Sequence, residues 1–229
     1  MSTSRYSPSF YQRSSNAVLS QRSEKWFEER KKFMLTCSEF GAAMGISTYE
    51  TRNQLMKKKL NRDEPEEIND FTQKILQYGT DVEPFAIADV QAFLSVVILN
   101  EGLHSNPLYQ GIAGSHDGKV LGQDMIVEIK SKINGVLPDI PDPAHIVQCI
   151  GNMEMREAGM CVLVYWAPGQ CRCWWLKRNE KMFKSLIWPR LLNFMCRMDA
   201  KEYFPRFSPG EKARIIKSVY SFVSLNPKI

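Results

Sequence analysis

The spacing of apolar positions changes along this chain, and each change marks an element. Between residues 70 and 94, Phe71, Ile75, Tyr78, Val82, Phe85 and the 89–90 pair recur at steps of three and four, which predicts a helix. Gly79 is expected to end a first helix, with Thr80 or Asp81 capping a second. Pro84 then falls in an opening turn, where its missing N–H costs little. Residues 108–114 and 125–132 are apolar runs of strand length. Residues 143–159 return to a helical period through Ile146, Ile150, Met153 and Met155. Two more strands, 160–166 and 171–176, flank a Pro168-Gly169 turn. Helices follow over 180–199 and 208–225, the second with Ser208 as its cap. Helix, two or three strands, helix and two strands predict an α/β (α+β) fold: a mixed sheet with helices packed on it.

Polar residues inside this frame carry the chemistry. Asp117 follows the 108–114 run at a glycine-bounded turn, Ser115-His116-Asp117-Gly118. Glu128 and Lys130 lie two apart in the next run, so they share a strand face. A hairpin of the two runs sets an aspartate, a glutamate and an ammonium side by side. Two carboxylates form a hard oxygen site suited to a divalent ion such as magnesium. The lysine can orient a water or steady a developing phosphate charge, which is the chemistry of metal-assisted phosphodiester hydrolysis. A solvated edge strand with Glu and Lys on one face has the same pattern, so the motif needs support from elsewhere. Glu83, read locally, is a first-turn acid favoured by the helix dipole. His116 reads as a turn histidine, and Gln148 and His145 sit on the 143–159 helix.

The motifs Gly79-x-x-x-Glu83, Ser115-x-Asp117-Gly118 and Glu128-x-Lys130, with Gln148 on the following helix, resemble those of the PD-(D/E)XK nuclease superfamily. Within it the chain is most similar to the phage lambda exonuclease and YqaJ viral recombinase family. Trp26-x-x-x-Arg30, then Thr36-x-Ser38-Glu39, Gly41 and Gly45, resemble that family's opening motif. The likeness spans roughly residues 24–200, with the motifs in order. It implies a restriction-endonuclease-like core in which Glu83, Asp117 and Glu128 surround magnesium, with manganese able to substitute. It assigns Lys130 to the water and scissile phosphate, Gln148 to an active-site contact, and Arg30 and Ser38 to the terminal 5′ phosphate. An arginine fork suits a phosphate with extra charge. Two positions depart from the family: His116 replaces its usual proline, and Gln148-Cys149-Ile150 keeps one glutamine of Gln-x-Gln.

Composition adds bounds. The chain has 229 residues and 44% hydrophobic content, ample for one core, and no interior linker is evident. Residues 1–23, rich in serine and arginine and free of acids, read as a flexible tail before a single domain at 24–229. The same composition fits a mitochondrial presequence, but an intracellular enzyme of cytoplasm or nucleus is the simpler expectation. No apolar run is long enough to span a membrane. Net charge of +5 permits nucleic-acid binding, and Arg52, Lys57, Lys58, Lys59 and Arg62 cluster where they could track duplex phosphates or simply be solvated. The six cysteines fall on predicted elements and read as reduced thiols.

The expected activity is a 5′-to-3′ exonuclease resecting double-stranded DNA ends for recombination or replication. By resemblance its partners are a single-strand annealing protein and its own copies in a trimeric ring encircling the duplex. A structure-specific endonuclease and a non-catalytic DNA-end binding module are the alternatives.

Overall fold

A computed structural model of the protein describes residues 21, 23–61, 70–225 and 227–228. The basic residue Arg62 and most of the N-terminal segment lie outside the described residues. The chain begins with helix α1 (Glu24–Lys31), strand β1 (Leu35–Thr36), a 3-10 turn (Cys37–Glu39), and helices α2 (Phe40–Ala43), α3 (Arg52–Leu60) and α4 (Asp70–Leu94). Strands β2 (Ile98–Leu99), β3 (Ile112–Ala113), β4 (Gly118–Val120) and β5 (Met125–Ser131) follow. Helix α5 (Pro143–Arg156) then leads to β6 (Met160–Ala167) and β7 (Gln170–Lys177). The end comprises α6 (Glu180–Met182), a π segment (Phe183–Ile187), α7 (Trp188–Asp199), α8 (Glu211–Ser221) and β8 (Pro227–Lys228).

The main sheet has the order β2-β4-β5-β6-β7-β8, antiparallel except for β5 and β6, which run parallel with α5 as their crossover. This is the mixed sheet the sequence predicts. Strand β6 is buried on both faces from Cys161 to Ala167, because helices cover both sides. One core joins Ile126, Leu163, Tyr165 and Trp174 to α2, α5, α7 and α8. The other joins Val127, Val162 and Val164 to Ala86 and Val90 of α4.

Four local expectations are corrected. Helix α4 runs unbroken through Gly79, and Pro84 lies in its interior. Local propensity counts about 1 kcal/mol against a helical glycine and about 3 against proline. The burial of Ala86 and Val90 on the sheet carries the helix past both. The sheet-facing stripe is also rotated from the expected one, since Phe85 is 67% exposed while Ala86 is buried. Residues 108–114 do not form the hairpin: β3 pairs in parallel with β1, and β4 takes its place against β5. Ser38, whose residue type suits an N-cap for a helix over Glu39 to Met44, and Ser208 are not caps. Thr36 caps the 37–39 turn reciprocally with Glu39, and α8 starts three residues after Ser208, behind Gly210.

Two glycines give this packing a test of sign. A Cβ on Gly41 would collide with Ala144 Cβ and lie 3.1 Å from Ala144 Cα, so α2 and α5 would have to separate. A Cβ on Gly79 meets nothing within 4 Å. Gly41→Ala is expected to cost about 1–3 kcal/mol by overpacking. Gly79→Ala is expected to stabilise by about 0.5–1 kcal/mol, as in any helix interior. Urea unfolding midpoints moving in opposite directions check both; destabilisation by Gly79→Ala would argue for a break at that residue.

Candidate active site

The β4–β5 hairpin assembles the acids. Gly118 pairs with Val127 and Lys119 with Ile126, so Asp117, one step further, stands across from Glu128. The Asp117 amide donates to Val127 O (3.0 Å), and its Oδ2 accepts from the Ile129 amide (2.6 Å). Asp117 is thus clamped to the backbone of the strand that carries the other two groups. Glu128 and Lys130 point to the α5 side, as their spacing requires.

Helix α5 supplies the amides. Gln148 Nε2 donates to Glu128 Oε1 (2.7 Å), and Gln148 Oε1 accepts from Lys130 Nζ (2.8 Å). Lys130 Nζ also donates to Glu128 Oε1 (2.8 Å). Asn152, one turn on, donates from Nδ2 to Glu128 Oε2 (3.0 Å). Asn152 was not foreseen, although its step of four from Gln148 puts both amides on one helix face. His145, a turn before Gln148, instead shares a hydrogen bond with Tyr165 Oη (2.7 Å).

Glu128 is 3% exposed. Burial pushes its carboxyl up to about 7; the Lys130 charge opposes this and the Asp117 charge adds to it. For Lys130, burial alone would lower the pKa, but Glu128 and Asp117 raise it, so the ammonium stays charged. Glu83 is half-buried on α4 and shares its sheet-facing side with Ala86 and Val90, three and seven residues on. It is therefore in a helix interior and not in a first turn. Among the described residues, the ligand oxygens of Glu83, Asp117 and Glu128 are not gathered within 4.8 Å of one another. The donor set nevertheless fits a hard divalent cation: all its atoms are carboxylate oxygens, and two facing acids gain from a positive charge between them.

Arg30 and Ser38 are brought together. Arg30 Nη2 donates to Ser38 Oγ and Thr36 Oγ1, both at 2.9 Å. The guanidinium lies over the Trp26 ring at 4.9 Å, which gives the Trp26-x-x-x-Arg30 step its physical basis on α1. The 37–39 turn abuts α5, since a Cβ on Gly151 would come within 2.9 Å of Cys37 Sγ. The basic cluster on α3 divides. Arg52 stacks on Phe207 (3.8 Å) and Phe204, and Lys59 pairs with Glu39 at 2.6 Å. Lys57 and Lys58 remain exposed. His116 is fully buried, with Nε2 3.2 Å from Glu101 Oε2, so it is no solvated turn residue.

The chain belongs to the YqaJ-like viral recombinase domain family, whose profile matches residues 25–139. No curated protein matches it. Among solved structures it is similar to an alkaline exonuclease, LHK-Exo, from Laribacter hongkongensis. The identity is 23% and the TM-score 0.61, over 78% of this chain and 94% of that one. The same protein in complex with dAMP gives a TM-score of 0.63 at the same identity and coverage. A phage related exonuclease from Haemophilus somnus is 16% identical, with a TM-score of 0.58 over 73% of this chain and 94% of that one. At these identities the likeness is one of fold.

The Glu128 environment predicts a pH dependence. A carboxyl whose folded-state pKa lies above its unfolded value takes up a proton on folding. Its contribution therefore favours the folded state increasingly as pH falls from above about 7 toward the unfolded carboxylate pKa near 4.5. In the absence of divalent metal, the stability of the protein relative to Glu128→Gln should rise as pH falls through that window. Thermal unfolding of both at pH 7.5 and 5.5 checks this; parallel shifts would mean that Glu128 titrates normally.

Proposed function

We propose that this chain is a divalent-metal-dependent deoxyribonuclease, acting as a 5′-to-3′ exonuclease that resects duplex DNA ends for recombination or replication. One observation carries the reading: Asp117, Glu128, Lys130 and Gln148 converge through hydrogen bonds of 2.6–2.8 Å on a hairpin and its crossover helix. Family membership and the exonuclease descriptions of the matched structures support it.

Glu83, Asp117 and Glu128 would hold magnesium, or manganese in its place, and the bound ion supplies Lewis-acid charge for phosphodiester hydrolysis. Asp117 is held at the head of the hairpin by the bond that its Oδ2 accepts from the Ile129 amide. Glu128 would exchange part of the shell it receives from Gln148 and Asn152 for the ion. Lys130, held charged between Glu128 and Gln148, orients the attacking water and steadies the phosphate. Arg30 and Ser38, with Thr36 behind them, grip the terminal 5′ phosphate and set polarity. A ring of copies around the duplex and a single-strand annealing protein complete the proposed setting, inside a cell.

Digestion of 5′-phosphorylated linear duplex, 5′-hydroxyl duplex and closed circular DNA tests the reading, with and without magnesium. The expected result is magnesium-dependent loss of linear DNA with the circle spared. The phosphorylated end should be preferred, and Arg30→Ala should lose that preference by about tenfold or more, the value of a charge-assisted hydrogen bond. Cutting of the circle would indicate an endonuclease. No cutting of any substrate by folded protein would leave a binding module.

A further inference from the structure

A second cluster lies beside the Asp117 strand and plays no part in the reading above. Glu101 follows β2, His104 is bridged to Gly114 by two backbone hydrogen bonds of 2.8 Å, and His116 immediately precedes Asp117. His116 Nε2 is 3.2 Å and His104 Nε2 3.4 Å from one atom, Glu101 Oε2. All three ligand atoms lie within 4.8 Å of one another, and the two imidazoles stack at 5.3 Å.

Hydrogen bonding explains Arg156 and His116 but not the buried His104 Nε2 that faces the same carboxylate. Glu101 Oε2 already accepts from Arg156 Nε at 2.7 Å, while Nη2 of the same arginine donates to Oε1 at 3.0 Å. Glu101 Oε2 also shares a hydrogen bond with His116 Nε2 at 3.2 Å, whereas His104 Nε2 and His116 Nδ1 are buried without a hydrogen-bond partner. Metal ligation gives all three groups one role. An ion bound tetrahedrally at about 2.0–2.1 Å holds its ligand atoms about 3.3–3.4 Å apart, close to the two nitrogen-to-oxygen spacings of 3.2 and 3.4 Å. Arg156 then acts from outside the ligand set, fixing the carboxylate as outer-shell partners do. Gln21, which donates to the carbonyls of Glu101 and His116, ties the same two segments together.

We propose that Glu101, His104 and His116 form a zinc-class site, separate from the magnesium site, that fastens the 101–104 segment to the strand entering Asp117. Two imidazoles and one carboxylate suit a borderline ion such as zinc better than magnesium, which takes oxygen. The site is a property of these three side chains and holds whether or not the chain cuts DNA.

The test is metal binding by the full chain. Chelator-stripped protein is titrated with zinc, and separately with cobalt(II) as a visible reporter. Asp117→Asn, with the acid site disabled, should bind one equivalent, and the protein at least one, with the ligand-field bands of nitrogen and oxygen coordination and no thiolate charge-transfer band. His104→Ala should weaken binding by more than about a hundredfold, beyond the loss typical of an outer-shell change. Zinc should raise the melting temperature of the protein and leave His104→Ala unmoved. His104→Gln provides the same comparison if the alanine variant does not fold. No stoichiometric binding, binding unchanged in both His104 variants, loss of binding in Asp117→Asn, or a thiolate band would each overturn the proposal.

Discussion

An acid sealed inside a sheet must be compensated or neutralised, and Glu128 is such an acid. An ammonium and two side-chain amides reach its two oxygens. Removing one partner from a buried ionic group typically costs about 3–5 kcal/mol, so these partners cannot drift independently. This ties β5 to α5 through polar contacts as firmly as the apolar core does. Arrangement matters more here than the number of contacts. One oxygen of Glu128 takes both Lys130 and Gln148, which fixes the ammonium on the side where Asp117 stands.

The rest of the site depends on that frame. The β4–β5 hairpin brings Asp117 opposite Glu128 because its register is short and its backbone bonds are direct. Helix α5 is also the surface on which the 37–39 turn rests, with Gly151 leaving room for Cys37 and Phe40. The Arg30–Ser38 pair is therefore positioned by the same helix that holds Glu128. Burial makes a charged Glu128 costly near neutral pH, and a cation beside it would relieve that cost.

Much of this was legible because it rests on period and spacing. Glu128 and Lys130 share a face by the strand period alone, and β6 and β7 follow from the Pro168-Gly169 turn between them. Gln148 came from family resemblance, whereas Asn152 lay unread on the same helix face. What failed to read depends on contacts between distant segments. Gly79 and Pro84 look like breaks until the sheet surface that holds Ala86 and Val90 is present. Residues 108–114 look like a hairpin partner until β1 claims them. Ser38 seems a fair cap until the Thr36–Glu39 pair, spaced as a capping box, takes the role. Glu101, His104 and His116 gather only after β2, the 104–114 bridge and the Asp117 turn have folded together.

Lys130 joins the fold to the chemistry, since Glu128 and Gln148 together fix its ammonium. The most direct measurement is DNA cleavage and DNA binding side by side for Lys130→Ala, in magnesium, on 5′-phosphorylated linear duplex. Cleavage should fall by at least about 10²–10³-fold, the scale of losing one transition-state donor, while binding stays within a few fold. Turnover equal to that of the unmodified protein, by a folded variant, would contradict a catalytic site built around Asp117, Glu128 and Lys130.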